Sequence, residues 1–367
     1  MIKQLPLLLA ILFFSSCIKD EAPNPEADIV AISFTENSLR TKSIDIYNDY
    51  IVLYPKRSVQ LQASDIVSIE LSEGASYRAR NHATPGDTLF FIDVTSQSKE
   101  YTKTYSVIQV NDFPLNFGFE TWVRPSSGFL YENPKEGPLQ WYSSNNGVAI
   151  AWNSSSKKAD EYPVRPKHIA GNTAVELRTM TGPGEIAGGV TYIPCLAGSL
   201  YLGGFSPLMG LIDPLKATLF GVPFNSGKPV KLTGFYIYKE GVEDYINGNG
   251  DRDATKKDKC SIYAVLFKTG DNVEFLYGDN IDDSPNIIAR AEVPPENIRQ
   301  ETDFVYFEAG FDYLSYAVPF AWNELDNNEY KLTIVFASSY RGGYYEGRPG
   351  NTLIIDNVQL IYETNDE

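Results

Sequence analysis

Two stretches of the chain set aromatic rings beside amide and guanidinium groups. One is "QWYSSNNGVAIAWN", with Trp141, Tyr142, Asn145, Asn146, Trp152 and Asn153; the other is "SYRGGYYEGRPGN", with Tyr340, Arg341, Tyr344, Tyr345, Glu346 and Arg348. Such neighbours suit one kind of recognition. A sugar ring offers an apolar C–H face that stacks on an exposed aromatic ring, and its hydroxyls take paired hydrogen bonds from Asn, Asp, Gln or Arg. The glycines of the second stretch permit tight turns that hold rings out of a core. A plainer alternative stays open: Trp141 and Trp152 fill the core of a β-sandwich, and the tyrosines brace a loop.

The usual catalytic constellations are missing from the sequence. It has two histidines, His82 and His168, and no H-E-x-x-H, G-x-S-x-G or P-loop pattern. His168, within "RPKHIAG", reads as a solvated loop residue. Glycoside hydrolysis needs two carboxylates about 5–10 Å apart. Among 47 Asp and Glu residues some pair always qualifies. Glu120, Glu185, Asp213, Glu308 and Glu346 stand beside aromatic or glycine-rich stretches, yet no spacing singles out two of them. Cys195 and Cys260 lack a C-x-x-C spacing and read as buried thiols, with a disulfide between them permitted but not implied. "DYINGNGDRDATKKDK" alternates Asp with Asn, but it lacks the closing glutamate of a calcium loop and carries lysines. It reads as a polar hairpin loop.

The elements that must position these residues are strands. The chain is rich in Tyr (24) and Phe (20), and short alternating runs are punctuated by Gly, Pro, Asn and Asp throughout. No long segment keeps apolar positions at helical spacing. The formal charge of −16 repels phosphate backbones, and no basic stripe offsets it, so nucleic acid is excluded as a partner.

Residues 1–16 carry a basic start, an apolar run and small residues before Cys17, the order of a secretory signal. About 10 apolar residues span roughly 15 Å as a helix, too short for a bilayer. "SSC" resembles a bacterial lipobox with Phe14 as a departure, and the "IKDE" after it resembles the export signal of Bacteroidetes surface lipoproteins. The expectation is a mature chain that starts at a lipidated Cys17 on the outer membrane, facing outward. Residues 17–27 read as an acidic, proline-containing tether.

From 28 to 112, the stretches "DIVAISF", "YIVLYP", "SVQLQA", "IVSIELS", "TLFFIDVTS" and "TYSVIQVN" fit a small Ig-like β-sandwich acting as a spacer. "NDFPLNFG" marks the boundary. Residues 113–367 read as one larger all-β domain.

In that domain "LNFGFETW", "GPLQWYSSNN", "GNTAVELRT", "SLYLGGFS", "LFGVPFNSGKPVKLTGFYIYKEG" and "FASSYRGGYYEGRPGNTLIIDNVQLIYE" follow one another. The ordered set resembles the putative carbohydrate metabolism domain family of Bacteroidetes surface lipoproteins, over about residues 115–363. The resemblance implies a jelly-roll-like sandwich associated with glycan handling. A separate resemblance implies a structural ion. "NFGFE" and "IIDNVQL" resemble the first and last strands of jelly-roll carbohydrate-binding modules, where a Glu and an Asp, here Glu120 and Asp356, hold calcium. By period two, Asp356 shares a face with Ile354, Val358, Leu360 and Tyr362. A bare carboxylate on such a face is costly unless paired. The alternative is Asp356 capping turn N–H groups and Glu120 in solvent.

The leading expectation is a surface-anchored lipoprotein that binds poly- or oligosaccharide without catalysis and needs no cofactor, alone or beside surface glycan-uptake proteins. The alternatives are a glycoside hydrolase using two carboxylates and an adhesion or scaffold protein.

Overall fold

The structure, a computed structural model, describes residues 22–35, 38–39, 44–53, 55, 61–82, 88–109, 113, 115–125, 128–152, 157–186, 191–270, 273–315, 317–325 and 329–363. The expected signal peptide, Cys17 and Asn153 lie outside them. The molecule is nearly all β. Among the described residues no helix is long and apolar enough to cross a membrane.

The first sandwich is built on alternation. In Thr88–Thr95, Phe90, Ile92 and Val94 point inward while Phe91, Asp93 and Thr95 do not. This strand pairs antiparallel with Thr102–Gln109, whose other edge takes Tyr50–Leu53 in parallel. A five-stranded sheet results, faced by the pair Ile29–Phe34 and Ile66–Leu71. The tether ends early: the Asn24 backbone N–H donates to Gln97, and Ala27 is already in the core. The edge strand Ser76–Asn81 is almost wholly exposed, so its polar sequence carried no strand signal. The expected strand "SVQLQA" forms none over its described residues; Ala63 opens a short 3-10 turn instead.

Among the described residues the second unit is a 15-stranded sheet folded over its own core, with two separate two-stranded ribbons, Met180–Ile186 with Thr191–Leu196 and Tyr245–Ile246 with Arg252–Asp253. One half runs through Val164–Ile169, Asn172–Arg178, Thr352–Glu363, Lys228–Lys239 and Val305–Tyr313. Pairing of Val305–Tyr313 with Ile287–Glu292 carries the sheet around the corner. The other half continues through Ser261–Lys268, Tyr330–Ala337, Ser199–Phe205 and Leu139–Ser143. Leu353, Ile355, Val358 and Phe307 from the first half meet Leu200, Ile262, Ile334 and Phe336 from the second. Each such buried side chain contributes roughly 1.5–3 kcal/mol.

The last strand corrects one expectation. Asn357 takes a left-handed conformation, φ 48°, and the pairing register shifts opposite Gly234. This bulge inverts parity, since one extra residue flips the side chains beyond it to the other face. Val358 and Leu360 join the main core with Leu353 and Ile355, while Ile354 belongs to a cluster on the opposite face. Asp356 therefore does not share a face with Val358 and Leu360.

Candidate functional site

The two aromatic stretches have opposite fates. In Leu139–Ser143 the inward residues are Leu139, Trp141 and Ser143. Trp141 is 0% exposed, packed against Phe117, Phe119 and Phe336 with ring centroids 5.2–6.0 Å away. It cannot stack on a ligand. Tyr142 faces outward but lies between Tyr47 of the first sandwich and Tyr201, at 6.5 and 6.4 Å. Beside it the Tyr50 hydroxyl donates to Gln140 at 2.5 Å, tying the two sandwiches together.

"SSNN" is a helix start. Ser143 caps the helix Ser144–Ala151: its hydroxyl accepts from the Asn145 N–H, and the Asn146 side chain accepts from the Ser143 N–H. Asn145 is fully buried, accepting from the Val164 N–H at 3.0 Å and donating to its carbonyl at 2.7 Å. Trp152 ends the helix, half-buried, with the Lys157 ammonium 4.2 Å from its ring centre. The expectation that Trp141, Asn145 and their neighbours form a sugar platform is corrected here: they hold a capped helix onto the core.

The second stretch does form a surface. Tyr340 and Tyr344 are 46% and 44% exposed, the first just before and the second at the end of a 3-10 turn, Gly342–Tyr344. The Arg341 guanidinium lies 4.6 Å over the Tyr344 ring and donates through Nε to Glu346 at 2.9 Å. Glu346 also accepts from the Tyr245 hydroxyl at 2.9 Å and pairs with Lys256 at 3.6 Å. Burial opposes its charge, but these donors hold the carboxyl below its ordinary value. Tyr345, left-handed at φ 59°, is half-buried, and burial pushes its hydroxyl up to about 12. A Cβ at Gly342 would run into Ala197, so only glycine lets the turn sit this close.

A buried acid fixes the loop. Asp258 accepts from the Lys259 and Arg348 N–H groups at 2.8 and 2.9 Å and from the Asn351 amide at 2.8 Å. Burial raises its pKa and these hydrogen bonds oppose the rise. Arg348, expected beside the aromatic rings, is buried and donates to the Ala254 and Lys256 carbonyls at 3.1 and 3.0 Å. It anchors the loop without reaching its surface.

The tyrosines stand at the mouth of a cleft of about 560 Å³ on the outer face of the second half-sheet. Its floor is a row set by cross-strand register: Tyr201 opposite Val335, Val335 opposite Tyr263, Tyr263 opposite Glu292. The helix Ser144–Ala151 and the segment 205–220 wall one side. Arg290 stacks on the Tyr263 ring at 4.3 Å, with its Nε 2.8 Å from Glu292 and its Nη1 3.3 Å from Asp282. Burial works against its charge, but the surrounding negative groups raise its pKa. Burial, then the charge of Glu292, raises the Tyr340 hydroxyl. Sequence reading missed Arg290, Glu292, Asp282, Tyr263 and Asp258. The signal was present in "IIARAEV", where Ala289 and Ala291 enter the core and Arg290 and Glu292 therefore share the other face.

Asp213 stands next to Pro214 of the cleft lining and pairs with Lys216 at 3.8 Å, while the other candidates do not line the cleft. Glu308 is exposed and pairs with Lys231 at 2.8 Å. Glu185 and His168 are exposed. Cys195 and Cys260 are buried and both remain free thiols. Asn247 and Asp251 close the polar hairpin loop on each other.

Glu120 and Asp356 meet at the sheet edge where Asn116–Phe117 pairs with the last strand. Glu120 accepts from the Thr173 N–H through both oxygens, at 3.2 and 3.1 Å, and Asp356 accepts from the Asn357 N–H at 2.7 Å. Burial, and then the Glu120 charge, raise Asp356. The donor type suits calcium, which takes hard oxygens. Among the described residues, however, no group of three or more acidic, histidine or cysteine side chains converges on a metal position.

The fold recurs in solved structures. Over 95% of this chain and all of the other, it superposes on a putative glycoside hydrolase from Bacteroides thetaiotaomicron with 29% identity and a TM-score of 0.77. A putative glycoside hydrolase from Bacteroides vulgatus matches 69% of this chain over its own whole length, with 28% identity and a TM-score of 0.62. No curated protein matches the sequence. Residues 118–361 match the family described as putative carbohydrate metabolism domain, and the chain belongs to that family.

Proposed function

We propose that the chain binds glycan in the Tyr340–Tyr344 cleft without cleaving it, as a lipoprotein held at the outer-membrane surface through Cys17. The observation that carries this reading is the pair of exposed tyrosines at the rim of a cleft floored by Tyr263, Arg290 and Glu292. Aromatic faces offer stacking, and fixed charged groups offer hydrogen bonds to hydroxyls. The first sandwich spaces the cleft from the membrane, and surface glycan-uptake proteins are the natural recipients of what it holds.

A second reading, glycoside hydrolysis, is favoured by the names of the two similar structures and by Asp282 and Glu292 sharing one cleft. Against it, both carboxylates lean on the same guanidinium, whereas hydrolysis requires one carboxyl kept protonated. Native affinity electrophoresis against plant, host and microbial polysaccharides, with released reducing sugar assayed in parallel, separates the two. Retardation without release, weakened by Tyr344→Ala, is expected. Sugar release lost in Glu292→Gln would establish hydrolysis instead.

Glu120 and Asp356 form the proposed structural calcium position, with backbone carbonyls completing the shell. Added calcium then raises the melting temperature, and Asp356→Asn removes the rise. A variant more stable than the wild type at all calcium concentrations would show that the two charges merely repel.

A further inference from the structure

One wall of the cleft carries a second surface on its back. In the ribbon Met180–Ile186 with Thr191–Leu196, the side chains of Ile186 and Ile193 line the cleft. Alternation turns Glu185 and Tyr192, a cross-strand pair, to the opposite face. Tyr192 is 47% exposed. Glu185 is exposed and makes no hydrogen bond or ion pair among the described residues. The hairpin Tyr245–Ile246 with Arg252–Asp253 joins this face to the tyrosine loop, because Ile246 and Gly347 exchange backbone hydrogen bonds at 2.8 and 3.0 Å. The hairpin tip is fixed from within. The Asn247 side-chain oxygen accepts from the Asn249 and Asp251 N–H groups, each at 2.9 Å, and the Asn247 carbonyl accepts from the Gly250 N–H at 2.9 Å. This tip touches a tyrosine on either side. A Cβ at Gly248 would stand 3.2 Å from the Tyr344 carbonyl, and one at Gly250 would push the Tyr192 hydroxyl off the tip. Gly248 and Gly250 are at most about 7 Å apart along the chain. Tyr344 and Tyr192 therefore flank one short, preorganised turn, with the exposed Asn249 between its two glycines.

We infer that Tyr192, Glu185 and Asn249 form a distal subsite, continuous with the cleft through Tyr344, so that the ligand is an oligosaccharide stretch longer than the cleft itself holds. This specifies the ligand of the glycan site proposed above and rests on that reading. The Tyr192 ring stacks on the apolar face of a sugar that has passed Tyr344. The Glu185 carboxylate accepts from its hydroxyls, and the Asn249 amide can both donate to and accept from them. Each partner is already held in place before the chain arrives, the tyrosine and the carboxylate by strand pairing and the amide by the Asn247 turn, so little ordering is needed on binding.

Titration calorimetry on the full chain tests this with a size ladder of oligomers, made by partial acid hydrolysis of each polysaccharide that retards the chain. Wild-type affinity keeps rising with length beyond the oligomer at which the affinity of Tyr192→Ala levels off. Tyr192→Ala weakens binding of the longest oligomers about fivefold and leaves the shortest binder unchanged. Tyr192→Phe, which keeps the ring, keeps the long-oligomer affinity. An equal loss at every length, or no loss at any length, overturns the distal subsite while polysaccharide retardation leaves glycan binding standing. Absence of binding by every oligomer and every polysaccharide overturns both.

Discussion

The strand around Trp141 and the loop around Tyr344 carry similar side chains and end in opposite environments. Trp141 sits on an inward position of a strand pinned on one edge by Ser199–Phe205, and alternation leaves it no choice of face. Tyr344 sits on a turn whose backbone is held by Asp258 and Arg348 from beneath, so its ring is free to face solvent. Composition is the same kind of signal in both places. What separates them is whether the residue belongs to a paired strand or to a clamped turn.

The largest effect that tests this contrast is Trp141→Ala, expected to cost about 3–5 kcal/mol of stability in chemical denaturation. Glycan affinity of the folded fraction should be unchanged. Equal loss of affinity and stability would return Trp141 to the binding surface. Asp258→Asn comes next. It should cost about 1–3 kcal/mol, because an amide cannot accept all the hydrogen bonds made by the carboxylate, and glycan binding should weaken although Asp258 touches no ligand. Unchanged binding would show that the loop holds its shape without this anchor. Tyr344→Ala reverses the pattern, with affinity falling by up to about tenfold and stability changing by less than about 0.5 kcal/mol.

The smallest effect is with pH. The Glu346 carboxyl lies below its ordinary value of 4.5 in the folded state, so between the two values the unfolded chain binds more protons. Its stabilisation is full above 4.5 and is lost as pH falls through the folded value. Subtracting Glu346→Gln melting curves from wild-type ones between about pH 6 and 3 isolates this contribution. A difference that does not shrink on acidification would dismiss the Arg341, Tyr245 and Lys256 network as its source.

Much of the fold was legible because the period-two run Thr88–Thr95 has one answer, and because Ser261–Lys268 and Tyr330–Ala337 are strand-length runs buried on both faces. The family resemblance rested on ordered strings and was equally visible. Half of the candidate site was visible too, in the glycine-rich tyrosine loop. The strand Ser76–Asn81 was hidden because an exposed edge needs no apolar residues. The capping role of Asn146 was hidden by reading amides as ligand groups when Ser143 three residues earlier marked a helix start.

By itself, the sequence determined the β class, the acidic charge and the supply of aromatic rings, since these depend on residue types and short-range spacing. Tertiary structure alone decided which rings face outward, that Arg290 and Glu292 share a floor with Tyr201 and Tyr263, and that a bulge at Asn357 turns Asp356 away from Val358. The physical reason is that strand pairing joins residues far apart in the chain, and one inserted residue reverses every face beyond it.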